Sequence, residues 1–92
     1  MNITPFVGIV QSHKTGRLSP SLTVEEITIA LSVEPDAEVS SDGKVTKEWQ
    51  FVADGRECAI WDYKGAKWST FGPDAVFEQL FGQAYQPFTL AW

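Results

Sequence analysis

A chain of 92 residues is long enough for one domain with a single modest core, and 43% hydrophobic with 13% aromatic residues excludes a wholly disordered polymer. Its net charge of −5, from seven Lys and Arg against twelve Asp and Glu, argues against general nucleic-acid binding, which relies on clustered cations that release counterions. Cys58 is the only cysteine, so no disulfide can close within the chain, and no apolar run approaches the length that spans a bilayer.

The charge is unevenly spread. Residues 1–24 carry Lys14, Arg17 and neutral His13 with no acid, whereas residues 25–42 carry Glu25, Glu26, Glu34, Asp36, Glu38 and Asp42 with no base. The acidic run reads as a solvated helix flank and loop, the alternative being a segment that mimics nucleic acid or docks on a basic partner. The N-terminal segment MNITPFVGIV lacks the basic region of a signal peptide, and together with the lone thiol this reads as a soluble, cytoplasmic protein.

In chain order, residues 6–11 (FVGIVQ) are β-rich and predict a first strand, with Pro5 at its start. Residues 12–21 (SHKTGRLSPS) predict a polar loop, Gly16 and Pro20 being its turn formers. Thr23 followed three residues later by Glu26 is a capping box, and it predicts a helix from Val24 to about Ser32, stopped before Pro35. Val24, Ile27 and Leu31 share one face of that helix, with Ala30 beside them, and should lie on a sheet. Residues 34–46 are acidic and Ser-rich and predict a loop.

Residues 48–73 predict three strands joined by two tight turns. Asp54-Gly55 is a strong hairpin signal, because a type I′ turn needs φ > 0 at both central positions. That turn pairs Phe51 with Cys58 and Trp49 with Ile60 on one face. A second turn centred on Gly65-Ala66 pairs Tyr63 with Trp68, Trp61 with Thr70 and Ile60 with Phe71. In that register Ile60 and Phe71 join the core face, and Trp61, Tyr63 and Trp68 point the other way. Gly72-Pro73-Asp74 then predicts a helix start with Pro73 at the first helical position, Val76, Phe77, Leu80 and Phe81 as its apolar stripe and Gly82 as its end. The tail, residues 83–92, alternates Phe88, Leu90 and Trp92 with Thr89 and Ala91, which suits an edge strand or a segment for association with a second copy. The predicted architecture is a single α+β domain over residues 1–92, in the order β-α-β-β-β-α with an optional last strand and a mostly antiparallel sheet.

No reaction is legible in these residues. One His and one Cys do not make a metal site, and Cys58, at an inward position, is expected to be a buried apolar side chain and not a nucleophile beside His13. Asp62 faces Lys47 across the first hairpin and reads as its cross-strand partner. Two constellations suggest binding. The first is the aromatic face of Trp61, Tyr63 and Trp68, rimmed by Lys64 and Lys67, which suits a stacked ring or a protein partner unless a helix covers it. The second is an anion pocket in which Ser12, His13, Lys14, Thr15 and Arg17 meet Ser69, Thr70 and the N-terminus of the second helix. SHKTGR is not a phosphate-binding P-loop, since it lacks both the glycine spacing and the following Lys-Ser/Thr pair.

Residues 54–82, DGRECAIWDYKGAKWSTFGPDAVFEQLFG, with the preceding VEEI and DGKVTKEW, resemble small accessory proteins of tailed bacteriophages. The likeness rests on an I-W/Y-D-Y/W-K-G strand, a W-S pair and G-P before a final amphipathic helix. It implies a virus-encoded protein in the host cytoplasm that acts by binding. The combined expectation is a non-enzymatic protein that needs no cofactor and inhibits a host or defence factor through the aromatic face. The alternatives are a sponge for a nucleotide or cyclic-nucleotide signal, and a virion assembly component that self-associates through its tail.

Overall fold

The computed structural model describes residues 1–6, 14–35, 47–63 and 66–87, without the side chains of Tyr63 and Ala66. Strand β1 (Ile3–Pro5) and strand β2 (Gly16–Leu18) precede helix α1 (Val24–Leu31). Strands β3 (Glu48–Ala53), β4 (Arg56–Tyr63) and β5 (Ala66–Phe71) form the meander. Helix α2 (Asp74–Phe81), a single 3-10 turn (Gly82–Ala84) and strand β6 (Tyr85–Pro87) complete the described residues, and the predicted alternation of Phe88, Leu90 and Trp92 lies outside them. The six strands form one sheet in the order β1-β3-β4-β5-β2-β6, with every pairing antiparallel. The α+β class is as predicted.

Local signals explain the elements that match. Asp54 and Gly55 have φ of 50° and 83°, and the hairpin they form pairs Phe51 with Cys58 and Trp49 with Ile60 in the expected register. At α1 both halves of the capping box are made: the Glu26 amide donates to Thr23 Oγ1 at 3.1 Å and the Thr23 amide to Glu26 Oε1 at 3.0 Å. The helix ends one residue earlier than predicted, at a left-handed Ser32. Ile27 and Leu31 of α1 and Val76 and Phe77 of α2 pack on the same side of the sheet, in one cluster with Trp49, Phe51, Cys58 and Ile60. Both helices therefore cover one face.

Four features differ from the sequence reading. The first strand is residues 3–5 and not 6–11: Phe6 is exposed and outside any strand, and Val7 to Gln11 lie outside the described residues. Gly16–Leu18 is a strand inside the predicted loop, with Gly16 and Leu18 inward and Arg17 outward; three residues are too few to show a period. Pro73 caps α2 from outside, with ψ of 137°, and Asp74 is its first helical residue.

The fourth difference is the register of the second hairpin. Ile60 pairs with Thr70 and Trp61 with Ser69, one position away from the expectation, with an irregularity between Trp61 and Tyr63. A one-residue slip sends every side chain of a strand to the opposite face. Trp68 and Thr70 thereby enter the core, and Phe71 moves to the outer face, half-buried. The exchange is favourable because Trp68 is the larger ring and takes more apolar surface from water than Phe71 would, each Å² contributing about 25 cal/mol. Its indole N–H is also satisfied, donating to the Leu22 carbonyl at 2.8 Å, and its ring meets Trp49 edge-on at 5.4 Å between centroids.

Candidate binding cleft

The slip disperses the predicted aromatic face. Trp68 is interior at 1% exposure, and Trp61 lies on the opposite side of the sheet, across from Glu48 and Ser69. The Tyr63 side chain and Lys64 lie outside the described residues. Lys67 is exposed, its ammonium 5.3 Å from the centroid of the Trp68 ring, so it does flank an aromatic, but one that belongs to the core.

The two halves of the predicted anion pocket do meet. Gly16 pairs with Thr70 and Arg17 with Ser69, which draws β2 alongside β5 just ahead of α2. Ser12 and His13 lie outside the described residues. Thr15 occupies the place assigned to an anion: its hydroxyl accepts from the Gly72 amide at 3.1 Å and lies 3.1 Å from the Gly72 carbonyl and 3.3 Å from that of Thr70. Asp74 brings a carboxylate to the first turn of α2 and accepts from the Tyr85 hydroxyl. Thr70 is fully buried and Ser69 nearly so. The helix N-terminus is thus closed by the chain's own groups, and an incoming anion would meet Asp74.

Tyr85 is the keystone of this corner. It sits on β6 opposite Leu18 and stacks on Phe77 with centroids 5.3 Å apart and planes 21° from parallel. Burial, then the hydrogen bond and the charge of Asp74, hold its proton far more firmly than an ordinary phenol. Gly16 makes this packing fit, since a Cβ there would lie 2.5 Å from the Tyr85 hydroxyl oxygen.

Outside this corner, along β2 and β6, runs an open cleft of about 720 Å³, lined by Arg17, Leu18, Ser19, Pro20, Lys67 and residues 83–86 (Gln83, Ala84, Tyr85, Gln86). Among the described lining residues there are two cations and no carboxylate. The Arg17 guanidinium is oriented by Gln86, with Nε and Nη2 donating to Oε1 at 3.2 and 2.9 Å. Lys14 is not among the lining residues; its pKa is lowered by burial and then by the charge of Arg17. A smaller cleft of about 300 Å³ near the first hairpin holds Asp54 together with Arg56, and its opposite charges offset. Of the cations involved, Lys14 and Arg17 are legible as anion-binding candidates in the sequence. Lys67 was assigned there to an aromatic rim, and Gln83 and Gln86 only to the tail, because nothing local reveals that β6 returns to β2.

The remaining candidates have structural positions. Cys58 is fully buried, burial raising its pKa to about 11, which leaves it a thiol and a poor nucleophile at neutral pH. Asp62 does face Lys47, but through the main chain: the Lys47 amide donates to Asp62 Oδ1 at 3.0 Å, and the Asp62 amide to the Lys47 carbonyl at 3.2 Å. Among the described residues no three His, Cys, Asp or Glu side chains converge, and no helix is long and apolar enough to cross a membrane. No protein family, curated protein or solved structure matches the chain.

Proposed function

We propose that this chain is a non-enzymatic binding protein that captures a small anionic ligand in the cleft along β2 and β6. One observation carries the reading: in a chain of net charge −5, a cleft of about 720 Å³ is lined by Arg17 and Lys67 and by no described carboxylate. Gln86 orients the Arg17 guanidinium, and the Lys67 ammonium lies over the Trp68 ring at the edge of the same cleft. This is the sponge alternative of the sequence reading, moved from a Trp platform to the β2–β6 cleft. Inhibition of a host factor through an aromatic face would need Trp61, Tyr63 and Trp68 side by side, and burial of Trp68 takes away its main support. The context of a phage accessory protein belongs to the same proposal and rests on the resemblance over residues 54–82.

Ligand binding to the native state raises its stability by mass action, about 1.4 kcal/mol at ten times Kd. A thermal-shift panel of small anions should therefore raise the melting temperature of the wild type for at least one member and leave the Arg17→Gln/Lys67→Gln variant unmoved. A panel that shifts neither protein, or both equally, refutes the cleft as the site.

A further inference from the structure

Building on the ligand-capture reading, we infer that the ligand is a phosphate ester of nucleotide size, with its phosphate between Arg17 and Lys67 and its uncharged body along Ser19, Pro20, Gln83 and Ala84. The ladder sets the layout. Arg17 pairs with Gln86 and Leu18 with Tyr85, and the Ser19 amide donates to the Ala84 carbonyl at 2.7 Å. Residues 17–20 and 83–86 therefore form one hydrogen-bonded floor, with Arg17 and Gln86 at one end and Pro20 and Gln83 towards the other. Arg17 also pairs with Ser69, so Lys67 stands on the diagonal, where backbones are about 7–8 Å apart. Two long side chains at that separation can close on a single phosphate.

The chemistry of the lining divides the same way. Gln86 takes the Nε and Nη2 edge of the Arg17 guanidinium and fixes its plane, so that its positive charge has a set position for a phosphate, and the Lys67 ammonium supplies a second, flexible charge. The rest of the cleft is neutral. Gln83 is an exposed amide able both to donate and to accept, Ser19 adds a hydroxyl, and Pro20 and Ala84 offer small apolar surfaces. Such a lining suits a body with hydrogen-bonding edges and flat apolar faces. A dicarboxylate would place its second charge among neutral groups, where desolvation is not repaid. Free phosphate would leave most of the 720 Å³ unfilled, a volume within the usual range for clefts that bind ligands of drug size.

The test is an amide NMR titration of the full chain with four probes: a nucleoside monophosphate, inorganic phosphate, the parent nucleoside and a C4 dicarboxylate. The expected result is that the monophosphate shifts Arg17, Lys67 and Gln83 with an affinity at least about tenfold above that of any other probe. Gln83→Ala should remove that advantage while leaving the weaker phosphate response. Phosphate, nucleoside or dicarboxylate binding as tightly as the monophosphate overturns the ligand class but leaves ligand capture standing. No shift at these residues with any probe overturns both.

Discussion

Replacing Trp68 by Ala tests the register of the second hairpin directly. Trp68 is 1% exposed, its ring packs edge-on against Trp49, and its N–H satisfies the Leu22 carbonyl. Truncating a buried Trp costs about 3–5 kcal/mol, and orphaning a carbonyl adds about 1 kcal/mol, so the loss is about 4–6 kcal/mol. A domain of this size has about 5–14 kcal/mol in all. The variant should therefore melt at least about 15 °C lower, at roughly 4–8 °C per kcal/mol, or fail to fold. Trp68→Phe keeps most of the apolar contact and should lose only about 1–2 kcal/mol, largely the hydrogen bond. Urea denaturation followed by circular dichroism measures both. An Ala variant within about 1 kcal/mol of wild type would put Trp68 on the surface and restore the aromatic face.

Other positions test the corner where β2, β6 and α2 meet. Gly16→Ala should cost about 1–3 kcal/mol in denaturant unfolding, because the new methyl meets a Tyr85 ring that Phe77 and Asp74 hold in place; an unchanged midpoint would show that the ring can retreat. Thr15→Val should lose about 1–3 kcal/mol by leaving the Gly72 amide without its acceptor, and Thr15→Ser should recover most of it; equal losses in the two variants would contradict the hydrogen-bond account. Stability should also fall at alkaline pH. The native Cys58 thiol keeps its proton to about pH 11 whereas the unfolded thiol loses it near 9.0, so its contribution is full below about pH 9 and is lost as pH rises through 11. Tyr85, also raised, acts in the same direction above pH 10. Urea midpoints of Cys58→Ala should decline less than wild type between pH 8 and 10.5, and parallel declines would refute the assignment.

Signals carried by neighbouring residues proved legible, and those carried by distant ones did not. Asp54-Gly55 dictates its own turn, Thr23 and Glu26 their own cap, and the stripe of Val76 and Phe77 its own helix. The second hairpin has no such dictate. Its strands are joined through Lys64 and Gly65, outside the described residues, and the irregularity at Trp61 to Tyr63 is decided by which large ring the helices can cover, a tertiary matter. Turn arithmetic puts Phe71 in the core and Trp68 outside it, and the packing reverses the two. Strands β2 and β6 show the same limit, each three residues long and sixty-odd residues apart, stabilised by each other and by Tyr85 under Gly16. The cleft inherits that limit. Arg17 stands out in the sequence as a cation in a polar loop, but only the pairing of β2 with β5 and β6 gathers Lys67, Gln83 and Gln86 around it.

Isothermal titration calorimetry of a nucleoside monophosphate into wild type and into Lys67→Gln tests the cleft most directly, since Lys67 is exposed and its loss leaves the core intact. Capture at this site predicts a single site in the wild type and an affinity at least about tenfold weaker in the variant, with both free proteins folded and their melting temperatures apart by only the few degrees that the Lys67–Trp68 contact contributes. Equal affinities, or no heat with either protein, would contradict it.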